Sequence, residues 1–126
     1  MRNLKLLVCG DRNWTEVQII HDWLSAFNKS DEWLEITLVH GAAKGADSIA
    51  GEIAKSFAWN VKPYPAEWDK YGKAAGPIRN RQMLKENPDI DIVLGFHTNL
   101  KESKGTKDML ILAIQEGIEM HLITGR

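Results

Sequence analysis

Cys9 is the only cysteine in 126 residues. No disulfide can form within the chain, and a reducing, cytoplasmic interior is the expected compartment. The 4 histidines are scattered, and with one cysteine they offer no zinc-ligand spacing. No metal and no cofactor are therefore expected. No run approaches the ~18 continuous apolar residues of a membrane span. Met1-Arg2-Asn3 leads straight into a strand-like stretch, which reads as the absence of a secretory signal. Neither sign of charge dominates: 16 Lys and Arg against 17 Asp and Glu leave a net charge of −1. Duplex-DNA binders depend on clustered cations, so this balance argues against nucleic acid as the main partner while permitting a local basic pocket. Repeats, linkers and low-complexity segments are also missing. What remains is an ordinary globular composition, 44% hydrophobic and 26% charged. The length suits one domain over residues 1–126, large enough to bury roughly two thirds of its unfolded surface.

Apolar runs alternate with helix-period segments. Residues 4–9, 36–39, 60–64, 90–96 and 120–123 read as strands, the longer ones apolar throughout, as in sheets covered on both faces. Asn13 with Glu16 predicts a capping box for a first helix bearing Val17, Ile20, Leu24 and Phe27. A second helix from about Ala46 carries Ile49, Ala50, Ile53, Ala54 and Phe57. A long connection over residues 64–76 precedes a helix with Pro77 in its first turn. Thr106 predicts the cap of a last helix bearing Met109, Leu110, Ala113 and Ile114, stopped at Gly117. Strand–helix alternation implies right-handed crossovers and a Rossmann-like α/β fold, doubly wound, with helices on both faces. The sheet is expected to be five-stranded and mainly parallel.

Ligands of such sheets bind beyond the carboxyl ends of the strands, where strand order reverses. Gly41-Ala42-Ala43-Lys44-Gly45-Ala46-Asp47 joins a strand to a helix with little side-chain bulk, so an anion can approach its backbone N–H groups. It is neither a Walker A loop nor a Gly-x-Gly-x-x-Gly fingerprint, and a tight packing turn explains it equally well. In Gly76-Pro77-Ile78-Arg79-Asn80-Arg81, two arginines at a helix start oppose the helix dipole by about 0.3–1 kcal/mol each. An anion held between them reverses that cost; salt bridges to Glu67 or Asp69 are the structural alternative. In Gly10-Asp11-Arg12, Arg12 can meet a phosphate and Asp11 a ribose or amine, or the two can pair with each other. Gly105-Thr106 offers N–H groups and a hydroxyl, or merely an ordinary cap. Trp14 and Trp68 can stack on a base or belong to the core. His40 and His97 end strands, and neither is given a role.

These segments, in this order, resemble the SMF/DprA–LOG (SLOG) superfamily, most closely its small YspA-like, YpsA-related branch. The resemblance rests on Val8-Cys9-Gly10-Asp11-Arg12 with Trp14, on Val39-His40 and the 41–47 loop, and on Tyr64-Pro65-Ala66-Glu67-Trp68. Tyr71-Gly72-Lys73-Ala74-Ala75-Gly76-Pro77-Ile78-Arg79-Asn80-Arg81-Gln82-Met83 and Gly105-Thr106 complete it. It implies a nucleotide pocket and, together with the alternation above, the strand order 3-2-1-4-5. The superfamily spans phosphoribohydrolases, DNA-binding proteins and nucleotide sensors, so it leaves the activity open. The hydrolase branch carries Pro-Gly-Gly-x-Gly-Thr-x-x-Glu with a catalytic glutamate. Met109 occupies that place in Ser103-Lys104-Gly105-Thr106-Lys107-Asp108-Met109, and methionine can neither carry charge nor move a proton.

The first expectation is binding, sensing or processing of a nucleotide or nucleotide-derived phosphorylated small molecule at the C-terminal edge of the sheet. Gly10, Asp11, Arg12, Gly41, Ala42, Ala43, Lys44, Gly45, Asp47, Trp68, Arg79, Asn80, Arg81, Gly105 and Thr106 would hold it. Asp47, Glu67 and Asp69 are the candidate catalytic acids if there is a reaction. The alternatives are cleavage of nucleoside 5′-monophosphates and, last, binding of single-stranded nucleic acid. Homo-oligomerisation stays open.

Overall fold

The computed structural model describes residues 2–125. Five strands, β1 (Arg2–Gly10), β2 (Trp33–His40), β3 (Asn60–Pro63), β4 (Ile92–Phe96) and β5 (Glu119–Ile123), form one sheet in the order β3-β2-β1-β4-β5. Every neighbouring pair is parallel, so the sheet expected to be mainly parallel is wholly so. The helices are α1 (Val17–Lys29), α2 (Ala46–Ser56), α3 (Trp68–Tyr71), α4 (Ala75–Glu86) and α5 (Gly105–Gln115).

β1 shows why its sequence is apolar throughout. Successive side chains point to opposite faces, and both faces are covered. Leu4, Leu6 and Val8 pack with Ile20 and Leu24 of α1 and Ala50 and Ala54 of α2. Leu7 and Cys9 pack on the other side with Met83 of α4 and Met109, Leu110 and Ala113 of α5. Two cores thus sandwich the sheet. The edge strands β3 and β5 are short, and neither has a fully buried residue.

Several boundaries differ from expectation, each for a local reason. Asn13 does not cap α1. Its N–H bonds Asp11 Oδ1 at 2.8 Å, the Trp14 N–H bonds Asp11 O at 3.1 Å, and the Trp14 indole donates to Glu16 O at 2.9 Å. Trp14 is only 5% exposed and meets Phe96 edge-on, with ring centroids 5.7 Å apart. Drawing that ring into the core holds residues 11–16 in a loop, and the helix starts at Val17. Thr106 does not cap α5 either. Ser103 Oγ accepts the N–H groups of Thr106 and Lys107 at 3.1 and 3.3 Å, because the helix already begins at Gly105. Ile114, expected on the packed face, is 63% exposed, whereas Met109, Leu110 and Ala113 are buried. Ile90 is buried just outside β4. The long connection is not featureless, since it holds α3 and a 3-10 turn over Gly72–Ala74.

Candidate functional site

At the carboxyl edge of the sheet, four segments are tied to one another by hydrogen bonds. Asp11, the first residue after β1, donates its N–H to Phe96 O at 2.8 Å, and its carbonyl accepts the Ala46 N–H at 3.1 Å. The β1 loop therefore caps α2 through its backbone. A Cβ at position 10 would lie 2.5 Å from Phe96 O and 2.6 Å from the Ala46 Cβ, so only glycine fits there. Gly45 has φ 75° and lies against the Asp11 and Arg12 backbone, a conformation and a clearance that only glycine meets without strain. Ala42 also sits in the left-handed region, at φ 57°.

Asp47, in the first turn of α2, folds back over the loop. Its Oδ2 accepts the N–H of Gly41 at 2.9 Å and of Ala43 at 3.4 Å. Ala42 donates instead to His40 Nδ1 at 2.9 Å. Gly41, Ala42, Ala43 and Ala46 are thus N–H donors already engaged inside the chain, and Asp47 supplies an internal anion where the sequence suggested an external one. Asp47 is 4% exposed, and its Oδ1 has no hydrogen-bond partner among the described residues. Burial pushes its carboxyl up to about 6, against the opposing pull of Arg79 and the two N–H groups. Burial also lowers the pKa of His40, with Lys55 and Arg79 adding to the shift, and raises that of the Cys9 thiol beside Asp47.

Arg79 reaches across from α4. It donates to Gly41 O and, at 3.5 Å, to Tyr64 O, while its Nε donates to Asn80 Oδ1 at 3.0 Å. A Cβ at position 41 would lie 2.5 Å from Arg79 Nη1 and 2.9 Å from Asp47 Oδ2, so the guanidinium packs on bare backbone there. Arg79 and Arg81 do not oppose the helix dipole as expected. α4 begins at Ala75, which places both arginines in its second turn, where the dipole field has faded. Arg79 instead bridges α4 and the 41–47 loop. Arg81 is mostly exposed and lies 3.9 Å from Asp108, rather than pairing with Glu67 or Asp69.

Asn80 is 2% exposed and joins α4 to α5, with its Nδ2 donating to Gly105 O at 3.2 Å and to Asp108 Oδ2 at 3.0 Å. Thr106 is buried, and Met109 is fully buried in the core beneath β1. Arg12, Lys44, Glu67, Trp68, Asp69 and Gly105 are exposed. Arg12 and Lys44 make no ion pair among the described residues. Trp68, 51% exposed, overhangs Gly76, where an added Cβ would sit 3.5 Å from the indole. Trp14 is in the core, leaving Trp68 as the accessible indole of the two. The edge also holds a residue to which sequence reasoning gave no role: His97, directly after β4, has its Nε2 3.9 Å from Asp11 Oδ2. Among the described residues no group of three or more His, Cys, Asp or Glu side chains has metal-binding geometry. Two open depressions of about 280 Å³ lie at the opposite edge of the sheet, one lined by Asn3, Lys5, Glu35 and Asp89, the other by Asn28, Trp33 and Asn60.

A wholly parallel five-stranded sheet of this order, with its loops tied together at the strand-order reversal, defines a Rossmann-like, doubly wound α/β fold. The chain belongs to the YspA, cpYpsA-related SLOG family, whose sequence profile matches residues 4–71. It is 33% identical over 120 residues to the Gene 61 protein of Mycobacterium phage D29, covering 90% of this chain and 91% of that one. The X-ray structure of DNA processing protein A (DprA) from Streptococcus pneumoniae superposes with a TM-score of 0.75 at 19% identity, over 98% of this chain and 51% of that one. This chain thus spans about half of the DprA chain, and at that identity the likeness is one of fold. Among the described residues no helix is long and apolar enough to cross a membrane.

Proposed function

We propose that the chain is a single binding domain for a nucleotide or nucleotide-derived phosphorylated small molecule, held at the carboxyl edge of the sheet. The observation that carries this reading is the hydrogen-bonded rim linking Asp11 to Ala46, Arg79 to Gly41 and Asn80 to Gly105. These bonds lie beside the β1–β4 strand-order reversal, the place where doubly wound sheets take their ligands. The exposed guanidinium of Arg12 and ammonium of Lys44 supply charge for a phosphate, and Trp68 supplies a face for a base. Arg79, Asn80 and Asp47 support that rim from within. Mass spectrometry of small molecules released from the purified, denatured protein tests the reading. A phosphorylated, base-bearing species is expected, and a ligand with neither phosphate nor base would contradict it.

A second reading is single-stranded nucleic acid, favoured by Trp68 and Tyr71, both exposed, with Lys70 and Lys73 beside them. A match to a protein named for DNA processing agrees with it. It predicts affinity for oligonucleotides that falls steeply with salt, whereas a small-molecule site selects the mononucleotide. Hydrolysis of nucleoside monophosphates has less support. Met109 lies in the core, and Asp108 is engaged by Asn80.

A further inference from the structure

Asp11 and His97 follow directly on β1 and β4, the neighbouring strands between which the order of the sheet reverses, and their preceding residues Gly10 and Phe96 are register partners. Both are fixed by backbone. Asp11 is held through its N–H to Phe96 O and through its carbonyl, which takes the Trp14 and Ala46 N–H groups. Its Oδ1 is occupied by the Asn13 N–H at 2.8 Å, leaving Oδ2. His97 donates its N–H to Ile123 O at 3.0 Å, and its Nδ1 accepts the Asn99 N–H at 3.0 Å. With Nδ1 accepting, the ring proton sits on Nε2. His97 Nε2 lies 3.9 Å from Asp11 Oδ2.

At that separation there is no direct hydrogen bond, but one oxygen lying to the side of the pair can bond both groups. An oxygen about 2.8 Å from each subtends an angle of roughly 90°, which a hydroxyl accommodates while it accepts from one side and donates to the other. A phosphate oxygen does not fit, because it has no proton to give and would lie beside a carboxylate. The two side chains are 12% and 20% exposed, so a ligand can reach the gap, yet it is largely shielded from bulk water. Arg12, the next residue on the same loop, exposes its cation.

We propose that Asp11 and His97 grip a sugar hydroxyl of the ligand, so that the site takes ribose-bearing rather than deoxyribose-bearing phosphates. This rests on the nucleotide reading above. The test is calorimetric titration of AMP, GMP, CMP and UMP, each alongside its 2′-deoxy and 3′-deoxy analogue, into wild type, His97→Ala, Asp11→Asn and Arg12→Ala. For whichever ribonucleotide binds, one of the deoxy analogues is expected to bind wild type roughly 10-fold or more weakly, since its loss leaves a charged acceptor and a donor unmatched. In His97→Ala and Asp11→Asn that ratio falls toward one. In Arg12→Ala both forms weaken together and the ratio persists. His97→Gln covers the case in which the alanine variant does not fold. Equal binding of ribo- and deoxy forms by wild type, or a ratio unchanged in the Asp11 and His97 variants, overturns the hydroxyl grip and leaves the nucleotide reading standing. Failure of all four ribonucleotides and all their deoxy analogues to bind wild type removes the nucleotide reading itself, and the grip with it.

Discussion

Gly41 has the Arg79 guanidinium on one side and the Asp47 carboxylate on the other, with no room for a methyl group. Gly41→Ala must push one of them away, and either movement opens the 41–47 loop. A stability loss of about 1–3 kcal/mol is expected from overpacking, measurable as a lowered midpoint in urea. Asp47 makes the stability depend on pH. Its carboxyl titrates at about 6 in the folded chain, against an ordinary 3.8, so the folded state holds the proton over a range where the unfolded state has lost it. This contribution to stability is greatest below pH 4 and declines as pH rises toward and through 6, by up to roughly 3 kcal/mol. Asp47→Asn removes the titration, so its stability relative to wild type improves between pH 4 and pH 7. A difference that stays flat with pH would mean that Asp47 is not held as a buried carboxylate. His40 acts in the opposite direction. Its lowered pKa makes the folded state resist protonation, so its contribution is present above pH 6.5 and is lost below it. Residue chemistry was half legible in the sequence. Asp47 and Arg79 stood out by type and position, yet their roles depend on a fold-back and a cross-element reach that no spacing encodes. His97 carried no signal beyond its place at the end of a strand.

At the scale of elements, strands were easier to read than helix starts. Buried parallel strands such as residues 4–9 and 36–39 announce themselves as apolar runs, because both faces of the sheet are covered. Helix α1 was placed too early because Asn13 and Glu16 satisfy a capping pattern, while the burial of Trp14, a tertiary event, holds the loop open. In α5 the capping hydroxyl belongs to Ser103, three residues ahead of the expected Thr106. Ser103→Ala should therefore cost about 1 kcal/mol of stability, read from a denaturant titration, and no change would show that its two hydrogen bonds are dispensable. Met109 tests the element in another way. Its side chain is fully buried among Leu7, Cys9, Val39 and Met83, so Met109→Glu puts a carboxylate into an apolar core. A loss of about 3–5 kcal/mol is expected, the scale of an uncompensated buried charge, with no release of free base from nucleoside monophosphates. A well-folded variant that hydrolyses them would contradict this placement.

For the molecule as a whole, the architecture was legible because alternation of strands and helices leaves few solutions once crossovers must be right-handed. The order β3-β2-β1-β4-β5 and the two covered faces match what the sequence and its family resemblance imply. What the sequence could not display is how far the loops at the carboxyl edge bond to each other, since those bonds join residues as distant as Gly41 and Arg79. That rim is also what distinguishes the proposed site from the depressions at the other edge of the sheet, lined by residues such as Asn3, Glu35 and Asp89. Both edges can be followed at once by amide chemical shifts in a titration of the ¹⁵N-labelled protein with the nucleoside 5′-monophosphates. Perturbations are expected to centre on Asp11, Arg12, residues 41–45, Gly105 and Thr106, and to shrink in Arg12→Ala. Perturbations centred on Asn3, Glu35 and Asp89, or none with any of the monophosphates, would contradict it.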